Sequence, residues 1–336
     1  AAFNGAIGGW NVSSVVAMDS MFEDASAFDQ DLSRWCVAEI VTPPERFDAG
    51  ATAWDGPRPE WGTCPGSAPM IVVIDTTYTD GRTVTLPLQG WTVPVDVSVD
   101  WGDGTTETFQ GEDVEVRHVY AADGRYEINI TGSVGAFGRA GGYDDAEAIV
   151  EVLAWGDLGL ASLEGAFDGA TNLTRVPDEL PATVRSIAAA FSGATSFQQD
   201  LSGWDTGSVE DMSGTFSGSV YNQDLQAWDT GAVTSMAAMF AGNTAFDRPI
   251  GGWDTSSVRS MQGMFSGATS FDQDIGDWDV SNVETMRLMF RWATSFDRPL
   301  DRWDVSNVGD MNGMFEGATA FDSAIGTWNV SNVRTM

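Results

Sequence analysis

Residues 278–302 read WDVSNVETMRLMFRWATSFDRPLDR, and the next 25, residues 303–327, read WDVSNVGDMNGMFEGATAFDSAIGT. Trp204, Trp228, Trp253, Trp278, Trp303 and Trp328 mark the period, with one spacing of 24 residues and four of 25. A separate copy stands at the front, where Trp10 and Trp35 bracket NVSSVVAMDSMFEDASAFDQDLSR. Self-similarity at a fixed period in this range indicates a stacked array, because one such unit cannot bury its apolar stripe alone.

Numbered from its Trp as zero, a repeat carries apolar residues at 0, 2, 5, 8, 11, 12, 15, 18 and 22. In one copy these are Trp278, Val280, Val283, Met286, Met289, Phe290, Ala293, Phe296 and Leu300. Between positions 5 and 15 the steps are three and four, the spacing of one helical face. Ser281-Asn282 just before it are residue types that cap helix N-termini. The pattern therefore predicts a helix over about 282–293, followed from Phe296 to the next Trp by one strand and a turn. The predicted fold class is an α+β repeat solenoid of 25-residue coils with a small all-β sandwich.

The WDVSNVxxMxxMFxxAT pattern from Trp278, with Phe271-Asp272-Gln273-Asp274-Ile275, resembles the BspA-like leucine-rich repeat of bacterial surface proteins. The resemblance covers most of 1–35 and 186–336. It implies a leucine-rich-repeat-like solenoid on a cell surface, associated with adhesion.

The chain has 336 residues, with 49 acidic against 16 basic side chains and a net charge of −33. Every basic residue is Arg. Phosphate-based nucleic-acid binding needs the opposite sign and is excluded as a function class. Anionic membrane surfaces are disfavoured for the same reason. Hydrophobic content of 43% supports a packed core. Such acidity without Lys suggests a saline, halophilic setting, although GC-rich coding would deplete Lys as well. The longest aliphatic run, Met70 to Ile74, is far too short to span a bilayer. Because the chain starts and stops inside repeats, it reads as a segment of a longer protein.

Residues 1–35 read as the end of a first array. The stretch 36–66 is rich in Pro and holds Trp54, Trp61 and both cysteines, Cys36 and Cys64. It reads as a C-terminal cap that hides the last coil. A Cys36–Cys64 disulfide would close it, contribute about 3–4 kcal/mol, and imply an oxidising, extracellular setting.

Over 67–140, MIVVIDT, RTVTLPL, VDVSVDW, DVEVRHVY and RYEINIT alternate between Asp-Gly turns, which predicts a small β-sandwich. Trp101-Gly102-Asp103-Gly104, His118-Val119-Tyr120 and Gly124-Arg125-Tyr126 resemble, in order, the PKD-type immunoglobulin-like module. That family implies an extracellular spacer or adhesive unit in which Asp and His are structural. Residues 141–186 read as an N-terminal cap and first coil, and 187–336 as the second array.

No catalytic constellation stands out. His118 is the single histidine, and no Ser–His–Asp, Cys–His or nucleotide cradle is suggested. Two acidic columns recur instead. Position 1 is Asp205, Asp229, Asp254, Asp279, Asp304 and Asn329. Unit charges roughly 5 Å apart repel by about 0.8 kcal/mol in water, so each Asp is expected to accept local backbone N–H groups. At positions 19–21, acidic repeats alternate with Arg-Pro repeats, so Arg248 and Arg298 are expected to neutralise Asp residues of adjacent repeats. Calcium is the alternative use of such carboxylates, at Asp29, Asp31, Asp272 and Asp274. Sequons occur at Asn11, Asn129, Asn172 and Asn329.

The expected function is that of an extracellular, non-enzymatic stalk or fibre with adhesive capacity, with a carbohydrate- or protein-binding module as the alternative. Partners would be other copies, extracellular proteins or glycans. Leu288, Arg291 and Trp292 replace Gly313, Glu316 and Gly317 of the next copy and form the candidate contact patch.

Overall fold

The computed structural model describes residues 3–336 except 6, 9, 11, 13, 14, 34, 38, 63–67, 91, 92 and 113. It falls into two compact units, Ala1–Ala68 and Pro69–Met336. Cys36 is disulfide-bonded; its expected partner, Cys64, lies outside the described residues.

The second unit begins with nine strands: β1 Met70–Asp75, β2 Thr83–Leu86, β3 Leu88–Gln89, β4 Val95–Asp100, β5 Thr106–Gly111, β6 Val116–Val119, β7 Arg125–Ser133, β8 Ala136–Phe137 and β9 Ile149–Ala154. Five of them make an antiparallel sheet in the order β5-β4-β7-β1-β9, and β2 pairs with β6 and β3 with β8. Alternation drives this: in β4, Val95, Val97 and Val99 are buried while Asp96 and Asp100 face out. Gly102, in the turn after β4, has a φ of 76°, and a Cβ there would lie 2.4 Å from the Glu127 carbonyl oxygen. Only glycine fits.

The repeats that follow overturn the predicted α+β solenoid. Among the described residues there is no α-helix at all. Over 286–293, alternate amides close four-residue β-turns within the repeat: Met289 N–H to Met286 O, Arg291 N–H to Leu288 O and Ala293 N–H to Phe290 O. The intervening amides of Met286, Leu288, Phe290 and Trp292 instead donate to the next repeat, to Asp310, Asn312, Met314 and Glu316. A helix would spend every one of these groups on i→i−4 bonds. Position 14 explains the choice: Gly193, Gly218, Gly242, Gly267 and Gly317 all sit at positive φ. Gly165, Gly214, Gly263 and Gly313 do so at position 10. Two glycines per five residues cost a helix about 1 kcal/mol each. Consecutive turns keep the apolar spacing of three and four without the helix.

The expected strand after Phe296 is also absent; 296–300 has no regular structure. Repeats join through single parallel bridges running Ala136, Ser162, Ser186, Asp211, Ser235, Ser260, Thr285, Asp310 and Thr335. The first rung, Ala136, belongs to β8, and Glu151 of β9 bridges Arg175. The sheet region and the repeats therefore share one core. Phe167, Phe191, Phe216, Phe240, Phe265, Phe290 and Phe315 stack at centroid distances of 5.6–5.8 Å. From Trp204 to Trp328 the repeat tryptophans donate their indole N–H backwards, as Trp278 does to Ile250 O and Trp303 to Ile275 O. A buried aromatic pair contributes roughly 0.5–1.5 kcal/mol beyond its area.

The repeat from Trp204 is one residue short, and Asn243 of the next repeat repairs the gap. Its side chain is buried, donating to Tyr221 O and Ser219 Oγ and accepting from Ala245 and Phe246 N–H.

The first unit uses the same backbone. Ser20, Phe22 and Asp24 N–H donate to Glu45, Phe47 and Ala49 O. Ser20, Asp24, Arg46 and Gly50 take the positive φ. Residues 45–50, within the expected cap, thus stack on the preceding coil in the repeat's own manner.

Candidate functional site

Acidic side chains on the repeat surface are bound up locally. In the position-1 column, Asp205, Asp229, Asp254, Asp279 and Asp304 each accept the backbone N–H two residues on. For Asp254 and Asp304, hydrogen bonds from Ser256 and Ser306 hold the carboxyls below the usual range.

Position 19 makes a second ladder between repeats. Asp272 N–H donates to Asp247 Oδ1 at 3.0 Å, Asp297 N–H to Asp272 Oδ1 at 3.1 Å and Asp322 N–H to Asp297 Oδ1 at 2.9 Å. The expected arginine ladder is half there. Arg298 pairs with Asp272 of the preceding repeat at 2.6 Å. Arg248 donates to the Asn222 carbonyl at 2.9 Å, since the preceding repeat has Asn at that place.

The four candidate calcium ligands are used in the same way. Asp29 accepts Asp55 and Gly56 N–H, Asp31 accepts Ser33, and Asp274 accepts Gly276 N–H. Among the described residues no group of three or more His, Cys, Asp or Glu could hold a metal ion. Of the sequons, Asn172 donates its side-chain amide to Glu147 O, Asn329 accepts Ser331 N–H, Asn129 lies in β7, and Asn11 is outside the described residues.

His118 does gather partners. Its Nε2 lies 2.9 Å from Asp103 and its Nδ1 3.6 Å from Glu107, and the ring stacks on buried Trp101 at 4.8 Å. Burial raises the Asp103 carboxyl, but hydrogen bonds from Thr105 and His118 outweigh it and bring it down to about 2. Trp101 donates to Glu107, and Tyr120 donates its hydroxyl to Trp101 O. The cluster ties the β4–β5 turn to β6.

Leu288, Arg291 and Trp292 are brought together on one junction, between the repeats starting at Trp278 and Trp303. Leu288 and Trp292 occupy positions 10 and 14 with φ of 58° and 57°, in the left-handed region. Glycine holds position 14 in the repeats on both sides. A bulky residue in that region costs roughly 1–2 kcal/mol. Arg291 makes a two-pronged pair with Glu316, at 2.9 and 3.2 Å. Leu288 lies against Gly313, whose Cβ would be 2.8 Å from Leu288 Cδ2. Trp292 lies against Gly317 and is 50% exposed. Gly313, Glu316 and Gly317 complete this patch. The glycine columns, legible in the sequence, are the signal that would have marked them.

A stack of β-turn repeats sharing its core with an antiparallel sheet region is the class these features define. The family described as "Mycoplasma protein of unknown function, DUF285" matches residues 1–67, 161–259 and 244–336, well over half of the chain. The chain belongs to that family. No curated protein and no solved structure matches it. Among the described residues, no helix is long and apolar enough to cross a membrane.

Proposed function

We propose that this chain is a segment of an extracellular, non-enzymatic surface protein that acts as a stalk or fibre element with adhesive capacity. The unbroken series of parallel bridges from Ala136 to Thr335, over one core, is the observation that carries this reading. A structure in which every repeat buries its apolar face on its neighbours resists local opening. It also presents the same outer positions again and again, which suits weak, multivalent attachment. The disulfide at Cys36 supports an oxidising compartment. The net charge of −33 supports a saline one. The resemblance of the repeats to BspA-like surface proteins, and of the Trp101–Tyr126 motifs to PKD-type modules, points the same way.

Electron microscopy of the native protein at its cell of origin, with antibody labelling, tests the reading. Filaments or stalks carrying the label outside the cell are expected. A label confined to the cell interior would sink it.

A further inference from the structure

We infer that Trp292 is a stacking platform for an uncharged pyranoside, so that this repeat binds neutral glycan. The inference deepens the adhesive reading above and rests on it for its biological sense.

The indole is held as a platform must be. A Cβ built on Gly317 would lie 2.4 Å from Trp292 Cε3 and 2.7 and 2.8 Å from the adjoining Cδ2 and Cζ3. Those are the distances of a point above the ring. A point beyond the ring edge, at the same distance from Cε3, would be much farther from its two neighbours. One face of the indole therefore rests on the Gly317 backbone, and the side chain remains 50% exposed. Only glycine at 317 leaves that seat free. The backbone N–H of Trp292 is fixed by Glu316 O at 2.7 Å. The residues next in sequence to Trp292 and Gly317, Arg291 and Glu316, pair with each other and so fix planar donors and carboxylate acceptors at the same junction. An apolar face with a polar rim complements a pyranose, whose axial C–H groups form a flat apolar side and whose hydroxyls ring the edge.

The position-14 column marks the same residue. Position 14 carries Gly169, Gly193, Gly218, Gly242, Gly267 and Gly317 in this unit, all at positive φ, and Trp292 alone departs. Non-glycine residues held in this conformation concentrate at ligand sites.

Other occupants fit less well. Among the described repeats of the second unit, Val220, Val330 and Met336 are the other large apolar residues that are exposed, and each lies in a different repeat from Trp292. A protein interface buries roughly 800 Å² per partner around several anchors, which one ring does not supply. A net charge of −33 repels sulfated or phosphorylated glycans. A quaternary ammonium calls for an aromatic cage, and no second ring lies against Trp292 among the described residues.

The full 336-residue chain is titrated with cellohexaose, maltohexaose, xylohexaose and chitohexaose by calorimetry and saturation-transfer NMR. At least one is expected to bind with a Kd of about millimolar or tighter, as one stacking contact gives. Trp292→Gly should weaken it at least about tenfold while leaving the fold intact, because glycine is the residue of this column elsewhere. Trp292→Phe should retain part of the affinity. No binding by any of the four would overturn the inference, as would binding unchanged in Trp292→Gly. Trp292-dependent binding of tetramethylammonium, or Trp292-dependent dimerisation in sedimentation, without sugar binding would overturn it too. Microscopy and titration can fail independently, so the adhesive reading and the glycan site are judged apart.

Discussion

The sheet region Met70–Ala154 and the repeats after it bury their side chains in one core, yet they reach it by opposite use of the backbone. In the sheet, extended strands pair along their whole length and side chains alternate. In the repeats, each chain segment folds into consecutive turns and spares every second amide for the neighbour. Two-residue alternation has one structural meaning, whereas a three-to-four spacing has two. Turns closed by i→i−3 bonds and α-helices both produce it. What separates them is the left-handed backbone at positions 10 and 14, where most repeats carry glycine.

The largest effect should come from removing a ring of the aromatic ladder. Phe290 is fully buried, stacked between Phe265 and Phe315 and against Phe296. Phe290→Ala should cost about 3–5 kcal/mol, and chemical denaturation monitored by tryptophan fluorescence would read it. Because neighbouring repeats exchange hydrogen bonds, the loss should spread as hydrogen-exchange deprotection of 263–267 and 311–316. Deprotection confined to 286–293 would mean that the repeats are independent.

That dependence also shows what was legible. The strands MIVVID, VDVSVD and RYEINIT stood out because Val and Ile alternate or run between turns, and they are β1, β4 and the start of β7. β5, TETFQG, escaped because its residues are mostly polar and it is a sheet edge with little to bury. The repeat period and its core residues were plain, since Trp278, Met286, Met289 and Phe290 are all buried as the pattern requires. Their secondary structure was not, because the hydrogen-bond partners are 24 residues away and leave no local trace except glycine. Likewise Leu288, Arg291 and Trp292 were visible as departures from the repeat, but Gly317 as the seat of Trp292 depends on packing between repeats.

In the sheet region the His118 cluster gives a sharper, smaller test. Asp103 is held down at about 2 against an ordinary 3.8. A lowered carboxyl stabilises the fold above the ordinary value, and that contribution is lost as pH falls through the folded one. The window is therefore about pH 4 to 2. Asp103→Asn should lower stability at neutral pH by about 1 kcal/mol, allowing for solvent screening. The gap from the parent should close towards pH 2, as thermal midpoints would show. A gap constant with pH would mean that the side chain acts through shape alone.

Within the repeats, Trp292→Gly and Leu288→Gly convert the departing repeat to the column's own residue. Relief of the left-handed strain, about 1–2 kcal/mol, is opposed by glycine's unfolded-state entropy of roughly 0.5–1 kcal/mol. A rise in stability of up to about 1 kcal/mol is expected for Trp292→Gly, since its ring is half exposed. Leu288→Gly should gain less, because Leu288 also packs on Gly313. A Trp292→Gly protein less stable than the parent would show that the indole holds the junction together.

The smallest effect concerns calcium, and it follows from what the carboxylates already do. In the position-19 ladder, Asp247 accepts Asp272 N–H and the Gln273 amide, and Asp272 accepts Asp297 N–H and pairs with Arg298. Asp274 accepts Gly276 N–H. Calcium takes six to eight oxygens and needs several carboxylates converging on one point. Here the repeat spreads them along a line and points each at a backbone amide. A cation could enter only by displacing those amides, leaving N–H groups without partners. Unfolding midpoints in chelator and in millimolar calcium should therefore coincide once ionic strength is matched. A calcium-specific rise, absent with magnesium, would show that the ladder rearranges to bind the ion.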